Sequence, residues 1–296
     1  MDPLDELRAL ALAAVGVGGL RKVRVLDGIT VTTVDEPTLP QSAMAEPSFA
    51  IVTQGVKSTA LNGRAYEQHP GQYLIVSLDL PVTGQALVAD RDAPLVVVSM
   101  TLSPHEIAPL LLETPVPARR PSLAGLSISD ATPDLLDPII RLLRLLGHPD
   151  DLRVLAPACR REILWRMLTG AQGALIRQIG TADGHLTHIA RAIRWIRENF
   201  ASPLSIADLA ALSGMSESTF HRHFRAATSM TPIQFRRQIR LQEARVLLAT
   251  GARTVAEIGY HVGYESPSQF NREYRRTFGT SPGHDVGQVT RISMPQ

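Results

Sequence analysis

The apolar positions in the second half of the chain follow a helical period, and the pattern occurs twice. The segment from Ser205 to Pro232 and the segment from Thr254 to Pro282 contain the same unit. Matched residues lie 49 apart in the front half of the unit and 50 apart in the back half, so one residue is inserted at the central turn. Each copy predicts a short helix, a tight turn and a second helix, which is the helix-turn-helix arrangement.

Residues at the ends of these predicted helices support that division. Ser205 and Thr254 each precede an acidic residue by three positions, and this capping-box spacing satisfies free amides at a helix start. Gly214 and Gly263 follow the first helix of each copy, where glycine adopts a positive φ at little cost.

The second helix of each copy has one apolar and one polar face. The apolar faces, which we expect to point inward, carry Phe220, Phe224 and Ala227 in the first copy and Phe270, Tyr274 and Thr277 in the second. The opposite faces carry Arg beside Ser, His or Asn, side chains that suit base edges and phosphates in a major groove. A solvated polar face of two ordinary helices is the alternative, and matching chemistry in two copies disfavours it.

The segment from about His185 to Asp285 resembles the DNA-binding domain of AraC/XylS-type bacterial transcription regulators. The stretch GYESPSQFNREYRRTFGTSP, Gly263 to Pro282, is the most specific part of that resemblance. It implies a seven-helix domain over residues 185–286 whose two recognition helices enter successive major grooves on one face of the DNA. By position it implies base reading by Ser218, His221, Arg222, Ser268, Asn271 and Arg272.

Within that set we expect Arg222 and Arg272 to be the principal base readers, since an Arg fork can reach guanine O6 and N7. Flanking positions on the same helices are expected to contact phosphate: Ser216, Arg225, Ser266, Arg275 and Arg276. The helix from Pro232 to Thr250 joins the two copies and has 19 residues. It spans roughly 28 Å, close to the roughly 34 Å of one DNA turn, so it could set both recognition helices on one duplex face.

Between Val23 and Leu102 the pattern changes to short runs rich in Val, Ile and Thr, which predict strands. These strands are Gly28–Val34, Ser48–Gln54, Ser58–Leu61, Tyr73–Val76, Ala86–Ala89 and Leu95–Leu102. Turn signals separate them at Asp27-Gly28, Asn62-Gly63, Pro70-Gly71 and Pro81. Many short strands with regular turns favour a barrel or a jelly roll.

The order of residues from Pro47 to Gln85 resembles the cupin-like N-terminal domain of one branch of AraC-type regulators. That resemblance implies a sensing or dimerisation domain over residues 1–180, followed by the DNA-binding domain over residues 185–286. The predicted fold class is α+β, with an N-terminal cupin-like β-barrel with flanking helices and a C-terminal all-α double helix-turn-helix domain. Cupin barrels often hold a metal, but His69 has no second His two residues away, so we expect no metal and no other cofactor.

Further helices are predicted around this barrel. Met1 to Leu20 indicates a short amphipathic helix or a frayed end, and Ser103 with Glu106 has capping-box spacing. Helices are also expected over Pro133–Gly147 and Leu155–Gly170, separated from their neighbours by links at Thr114–Pro121 and Gly180–Gly184. The first of the two helices has a broad leucine face. It either packs against the barrel or pairs across a two-fold axis, and the family resemblance favours a homodimer through Leu135, Leu142 and Leu146.

Charge is divided unevenly along the chain. Residues 1–184 have a net charge of −4 and residues 185–296 a net charge of +6, as expected for a nucleic-acid-binding module behind a domain with another task. Lys22 and Lys57 are the two lysines, and every other basic residue is Arg. Cys159 is the single cysteine, which excludes an internal disulfide and suits a reducing cytoplasm. No apolar run is long enough to predict a membrane span.

Together these patterns predict a sequence-specific DNA-binding transcription regulator and not an enzyme. Its expected partners are double-stranded DNA, a second copy of the chain, a small-molecule effector and RNA polymerase, with no membrane. The first alternative is a cupin-like small-molecule-binding enzyme without a metal and with a helical tail, which the absence of a nucleophile with its base disfavours. The second is a DNA-repair fusion, which would need more reactive cysteines than Cys159 provides.

Overall fold

Runs rich in Val, Ile and Thr form antiparallel strands in the first half of the chain. The structure is a computed structural model that describes residues 2–16, 18–113, 124–181, 185–251 and 253–285. Within these residues the strands are β1 (Arg21–Leu26), β2 (Ile29–Val34), β3 (Gln41–Ala45), β4 (Ser48–Gln54), β5 (Val56–Leu61), β6 (Arg64–Gln68), β7 (Gln72–Val76), β8 (Leu80–Val88), β9 (Leu95–Thr101) and β10 (Leu126–Asp130). All six predicted strands are present, with ends shifted by a few residues at most except for β8.

The strands form two sheets packed face to face. One sheet has the order β1-β2-β9-β4-β7-β10 and the other the order β3-β8-β5-β6. Side chains from both sheets share one buried cluster, which contains Val34, Val52 and Val97 from the first sheet and Ala86 from the second. Within the described residues no ladder joins the two sheets, so the expectation of a closed barrel is wrong. Burial between two open sheets satisfies the apolar faces without closure.

Turn chemistry explains one correct and one wrong prediction among the loops. Asn62 and Gly63 both have positive φ, 49° and 80°, and they join β5 to β6 in a hairpin as expected. Pro81, expected in a turn, lies inside β8, where it is the partner of Met44 on β3. The pairing of β5 with β8 ends at Thr83, so Pro81 is paired on one side only, and proline is tolerated at such an edge position.

The helices of the first unit cover the outer face of the six-stranded sheet. They are α1 (Pro3–Val15), α2 (Pro104–Glu113), α3 (Pro133–Arg144), α4 (Pro149–Thr169) and α5 (Gly173–Gly180). Leu142 and Leu143 of α3 and Ile163 of α4 pack against Phe49 and Met100 of the sheet. The predicted amphipathic N-terminal helix is present as α1. The link Thr114–Pro121 lies outside the described residues, as does most of Gly180–Gly184.

The predicted capping box at Ser103 is not formed, because its acidic member has another partner. The Glu106 carboxylate accepts two bonds from the Arg160 guanidinium of α4, at 3.0 and 2.9 Å. Arg160 also donates to the backbone oxygen of Asp27 at 3.1 Å. A guanidinium can hold a carboxylate with two parallel bonds, and this pairing is stronger than one bond to a helix amide.

The remaining helices form the helix-turn-helix region. They are α6 (His185–Glu198), α7 (Ile206–Leu212), α8 (Glu217–Thr228), α9 (Pro232–Thr250), α10 (Val255–His261) and α11 (Pro267–Phe278). Contacts divide the chain into two compact units, the first reaching Ala190 and including Ala226–Ser229, the second holding Arg191–Arg225 and the described residues from Met230 onward. No helix in the described ranges is long and apolar enough to span a bilayer.

Candidate nucleic-acid interface

The sequence repeat is also a repeat of the backbone. Helices α7 and α10 begin and end 49 residues apart, and helices α8 and α11 begin and end 50 residues apart. The one-residue insertion therefore lies in the turn between the two helices of the second copy, as the sequence predicts. Caps define the starts: Ser205, Thr254 and Ser266 each accept a bond from the amide three residues on, and Thr254 with Glu257 forms a complete capping box.

Two glycines shape the turns between the paired helices. Gly214 and Gly263 have φ of 62° and 90°, a region that side chains with a Cβ rarely occupy. In both copies the amide after the glycine donates to a carbonyl five residues back, Met215 to Ala210 and Tyr264 to Gly259. These matching bonds are the Schellman type of helix ending, so the first helices of both copies end in the same way. The inserted residue lies between that ending and the second helix.

The inward faces of α8 and α11 are buried as the pattern predicts. Phe220 and Phe224 of α8 and Phe270 and Tyr274 of α11 are completely buried. Ala227 is buried as well, and Thr277 is half-buried. Neighbouring rings lie 5.4 Å apart between Phe220 and Phe224 and 5.6 Å apart between Phe270 and Tyr274. This packing fixes the rotation of each helix about its axis and so determines which residues face solvent.

Every side chain that we expect to contact DNA is exposed. The six base-reading candidates lie on the outer faces of α8 and α11: Ser218, His221, Arg222, Ser268, Asn271 and Arg272. The phosphate candidates lie at the starts and further along the same helices: Ser216, Arg225, Ser266, Arg275 and Arg276. Ser266 also caps α11, and the hydroxyl of Ser216 accepts a 3.4 Å bond from the Thr219 amide. The serines therefore have a structural task at the helix start in addition to any contact with DNA.

Not all arginines of this region are free to reach a ligand. Arg240 donates to the backbone oxygens of Phe200 and Ala201 at 2.7 and 3.1 Å, and Arg236 donates to the oxygen of Ser202 at 2.9 Å. Burial lowers the pKa of both guanidinium groups. By contrast, the arginines on the outer faces of α8 and α11 make no ion pair or hydrogen bond within the described part of the chain: Arg222, Arg225, Arg272, Arg275 and Arg276.

The arginines of α11 line a shallow cleft of about 530 Å³. Its wall consists of Asn271, Arg272, Arg275, Arg276 and Ser281. Four of these five residues belong to the predicted set, and Ser281 was not predicted. A polar residue just beyond the C-terminus of α11, in the matched segment before Pro282, is the signal that could have identified it.

A buried polar network behind α11 was missed by the sequence analysis. The Tyr274 hydroxyl donates to Asp285 at 2.6 Å, and the Arg245 guanidinium of α9 lies 3.0 Å from the same carboxylate. The side chain of Asp285 is only 1% exposed. Burial raises the pKa of Tyr274, and the bond to Asp285 acts in the same direction. The sequence does contain a signal for this network. Asp285 matches Phe235 of the first copy at the 50-residue spacing, so a charged residue stands where the first copy has an apolar one.

The residues expected to form a dimer contact lie mostly inside the protomer. Leu135 and Leu142 of α3 are buried, and Leu146 is half-buried in the 3₁₀ turn that follows. Helix α3 packs its leucine face on α1, on α4 and on the sheet, which is the core-packing alternative left open by the sequence. Val154 and Leu155 of α4 are instead exposed, at 73% and 47%.

Comparison with known proteins places this geometry among transcription regulators. A family model described as the AraC-type transcriptional regulator N-terminus matches residues 25–175, and a helix-turn-helix domain model matches residues 209–286. The transcriptional activator RhaS of Klebsiella pneumoniae is 26% identical over 289 residues, covering 88% of this chain and 93% of RhaS. RhaS of Escherichia fergusonii is 30% identical over 146 residues, about half of each chain.

A solved structure shares the fold over nearly the whole chain. ToxT from Vibrio cholerae has a TM-score of 0.54 at 11% identity and covers 92% of this chain and 100% of ToxT. At that identity the likeness concerns the fold alone.

Proposed function

The chain belongs to the AraC-type transcriptional regulators, and we propose how its two units divide the work of regulation. It is a DNA-binding transcription regulator of the helix-turn-helix type. The observation that supports the finer assignment is the pair of matching outer faces on α8 and α11, both exposed and both basic. On this proposal the second unit reads the operator, and the first unit senses a ligand and holds a second copy of the chain.

Arg222 and Arg272 are the principal base readers in this proposal. Both are exposed, both lack a partner within the described residues, and both follow a polar side chain, His221 or Asn271. An arginine with free N–H groups can bind guanine O6 and N7 together, and asparagine can bind adenine in the same two-bonded manner. The two helices therefore read different base sets, with Ser218 and Ser268 completing each set.

The phosphate contacts and the spacing of the two readers follow from neighbouring elements. Arg225, Arg275 and Arg276 lie further along their helices, where an Arg side chain meets the backbone of the duplex more readily than a base edge. Helix α9 has 19 residues between the two copies. Its length of roughly 28 Å approaches one helical turn of DNA, so each recognition helix enters its own major groove.

The first unit is proposed as a cupin-like effector domain. Two antiparallel sheets with a shared core are the arrangement that jelly-roll proteins use around a ligand. ToxT, which has the same overall fold, has been crystallised with an unsaturated fatty acid bound. We extend ligand binding to this chain as part of the proposal. RhaS is a transcriptional activator by name, and activation here would require contact with RNA polymerase.

A homodimer through the α3–α4 region is also part of the proposal. Because Leu135 and Leu142 are buried within the protomer, the surface available to a partner is the exposed part of α4, with Val154 and Leu155. Changing both exposed residues to Glu should give a monomer in sedimentation velocity, since the charges would be buried in the contact. Arg153→Glu, an exposed change on the same helix, serves as the control. A wild-type chain that sediments as a monomer at micromolar concentration would contradict the dimer.

The experiment that tests the function is operator selection followed by a salt titration. Full-length chain is used to select duplexes from a random pool, and its affinity for the selected site is measured at increasing salt concentrations. We expect an enriched motif and an affinity that falls steeply with salt, because Arg–phosphate contacts release counterions. No enriched motif, or an affinity that salt does not change, would overturn DNA reading by α8 and α11.

The enzyme interpretation is not favoured by these observations. The family model that matches residues 25–175 is that of a regulator, and a helix-turn-helix model matches residues 209–286.

A further inference from the structure

The two lysines of the chain have different surroundings. Lys22 on β1 is exposed, whereas Lys57 on β5 is half-buried. The partner of Lys57 on β8 is Ala86, which belongs to the apolar cluster shared by the two sheets. Because directly opposed residues lie on one face of a sheet, the Lys57 side chain leaves β5 on the face that carries this cluster. Part of the side chain nevertheless remains open to reagents in solvent.

The charged form of Lys57 is poorly supported by its neighbours. Within the described residues the ammonium group makes no ion pair and no hydrogen bond. Burial lowers its pKa, the nearby Lys22 acts in the same direction, and no carboxylate opposes them. A lysine that is partly removed from water beside another cation is neutral more often, and the neutral amine is the nucleophilic form. Lys57 therefore has the surroundings of a nucleophilic lysine.

Two buried side chains beside Lys57 have polar atoms without partners. Gln68 on β6 is the second ladder partner of Lys57, and its Oε1 accepts no hydrogen bond, although its Nε2 donates to the Ala50 oxygen at 3.0 Å. Thr59 lies two residues further along β5, and its hydroxyl also has no partner. An ammonium group has no acceptor, so it cannot receive the proton of this hydroxyl. Buried polar atoms are nearly always paired, so the patch lacks one donor and one acceptor.

An acyl group on the Lys57 nitrogen would supply both missing atoms. Acylation converts the ammonium group into a neutral amide with one N–H donor and one carbonyl acceptor. The N–H can donate to Gln68 Oε1, and the carbonyl oxygen can accept from the Thr59 hydroxyl. Space for a small acyl group exists on the same face, because Gly84 lies opposite Thr59 and a Cβ added to it would meet no heavy atom within 4 Å. The modified side chain therefore suits this patch better than the ammonium group does.

We propose that Lys57 is a covalent acylation site, which a small acyl phosphate modifies without the help of an enzyme. The lone pair of the neutral Nζ attacks the carbonyl carbon of the donor and forms the C–N bond. The C–O bond to phosphate breaks with its electron pair, and the proton that the nitrogen loses passes to the departing phosphate. The positive charge of Lys22 attracts the anionic donor. The inference concerns the first unit alone and does not rest on DNA reading by the second.

The first test is treatment of the full-length chain with acetyl phosphate, followed by mass spectrometry of its peptides. Lys22 serves as the internal reference, since it is exposed to the same reagent. We expect Lys57 to be acetylated at least about threefold faster than Lys22, because a partly desolvated amine is neutral more often. In the denatured chain the two lysines should react at similar rates. If Lys57 reacts no faster than Lys22 in the folded chain, or keeps its advantage after denaturation, the proposal is overturned.

The melting temperature of the acetylated chain tests the fit of the acyl group. We expect a rise of about 2–8 °C, since two buried hydrogen bonds form and an unpaired charge is removed. Lys57→Arg treated in the same way should show no rise, which accounts for acetylation at other amines. Incubation of the wild-type chain with acetate and inorganic phosphate, which transfer no acyl group, should also leave the melting temperature unchanged. A rise in either control would overturn the proposal.

A matched pair of hydroxyl deletions tests the partner of the acyl carbonyl. Thr59→Val keeps the volume of the side chain and should remove a large part of the rise in melting temperature caused by acetylation. Thr33→Val on β2 deletes another buried hydroxyl without a hydrogen-bond partner and should keep the full rise. Thr33 lies on the face of its strand that also carries Ile29, which packs against the helices, so it is remote from the patch around Lys57. Equal rises in the two variants would contradict the proposed acyl-lysine contact.

Discussion

Where the first helix-turn-helix copy places Phe224 against Phe235, the second copy places Tyr274 against Asp285. Both pairs occupy matched positions 50 residues apart. The first contact is an edge-to-face pair of rings 5.5 Å apart. The second is a 2.6 Å hydrogen bond to a buried carboxylate, which Arg245 also contacts at 3.0 Å. Ring packing holds this position in both copies, since Tyr274 also lies against Phe270 and Phe278. The second copy adds a hydrogen bond to a carboxylate that is paired with Arg245.

The difference teaches that equal geometry does not imply equal energetics. Ring packing loses free energy in proportion to the volume removed and tolerates small changes. A buried ion pair stabilises the fold little more than an apolar replacement of the same volume. Removing one partner is nevertheless costly, because the other charge is then buried without a counter-charge or water. Both recognition helices are therefore expected to respond to a loss of ring volume, and the second is expected to respond to a loss of charge as well.

Phe224→Ala should have the largest effect. Phe224 is completely buried between Phe220 and Phe235, so truncation should cost about 3–5 kcal/mol of unfolding free energy. The measurement is denaturant unfolding in a Trp165→Phe background, where Trp195 of α6 is the one remaining tryptophan and reports the second unit. Phe224→Leu, which keeps most of the volume, is the control and should cost less than half as much.

Arg245→Met should come next. It leaves Asp285 buried without its cation, and because Arg245 is 27% exposed we expect about 2–3 kcal/mol, below the value for a fully buried pair. The ring contact of Arg245 with Phe278 is kept in part by the Met side chain. The same fluorescence assay measures it, with Arg253→Met on an exposed site as the control. A cost below that of the control would show that the ion pair does not hold α11.

Tyr274→Phe should have a smaller effect. The ring stays packed and only the hydroxyl bond to Asp285 is lost, while Arg245 still neutralises the carboxylate. We expect about 1–2 kcal/mol. Tyr260→Phe, at an exposed hydroxyl of α10, should cost nothing measurable in the same assay. Equal costs for the two variants would contradict the role given to the buried bond.

Converting the second anchor to the chemistry of the first should have the smallest effect. The triple variant Tyr274→Phe, Asp285→Phe and Arg245→Met removes the network as a whole. Apolar replacement of a complete buried pair is often neutral or stabilising, so we expect unfolding free energy within about 1 kcal/mol of wild type. Strong coupling between the three changes in a mutant cycle would support the network. If the losses of unfolding free energy in the three single variants simply add up in the triple variant, the proposed network is contradicted.

The sequence predicted the repeat and the exposed polar faces of α8 and α11 because both depend on local patterns. Capping residues, glycine turns and a helical apolar period are read from neighbouring positions, and the two copies confirm each other. The strand β4 was predicted at its observed ends, Ser48–Gln54, because it is a short run of mostly apolar residues, four of which are buried. Such signals do not require knowledge of the partner elements.

What could not be predicted depends on distant partners. The strands β1, β3, β6 and β10 were missed because they are mostly exposed or half-buried and lack a clear alternation. The closed barrel was wrong because strand order between two sheets is a tertiary property. The leucine face of α3 has the same pattern whether it packs inward or against a second copy, so only the fold shows that Leu135 and Leu142 are buried.

The measurement that most directly tests the central claim, that the two copies read different halves of one operator, is site selection with four matched variants. Arg222→Ala should relax base preference in one half of the site and Arg272→Ala in the other half, about one helical turn away, at a cost of about 1–3 kcal/mol of discrimination each. Arg225→Ala and Arg275→Ala should weaken binding to all sequences alike and leave the motif intact. If Arg222→Ala and Arg272→Ala relax the same positions, or weaken every sequence equally as the phosphate variants do, the two-reader account is contradicted.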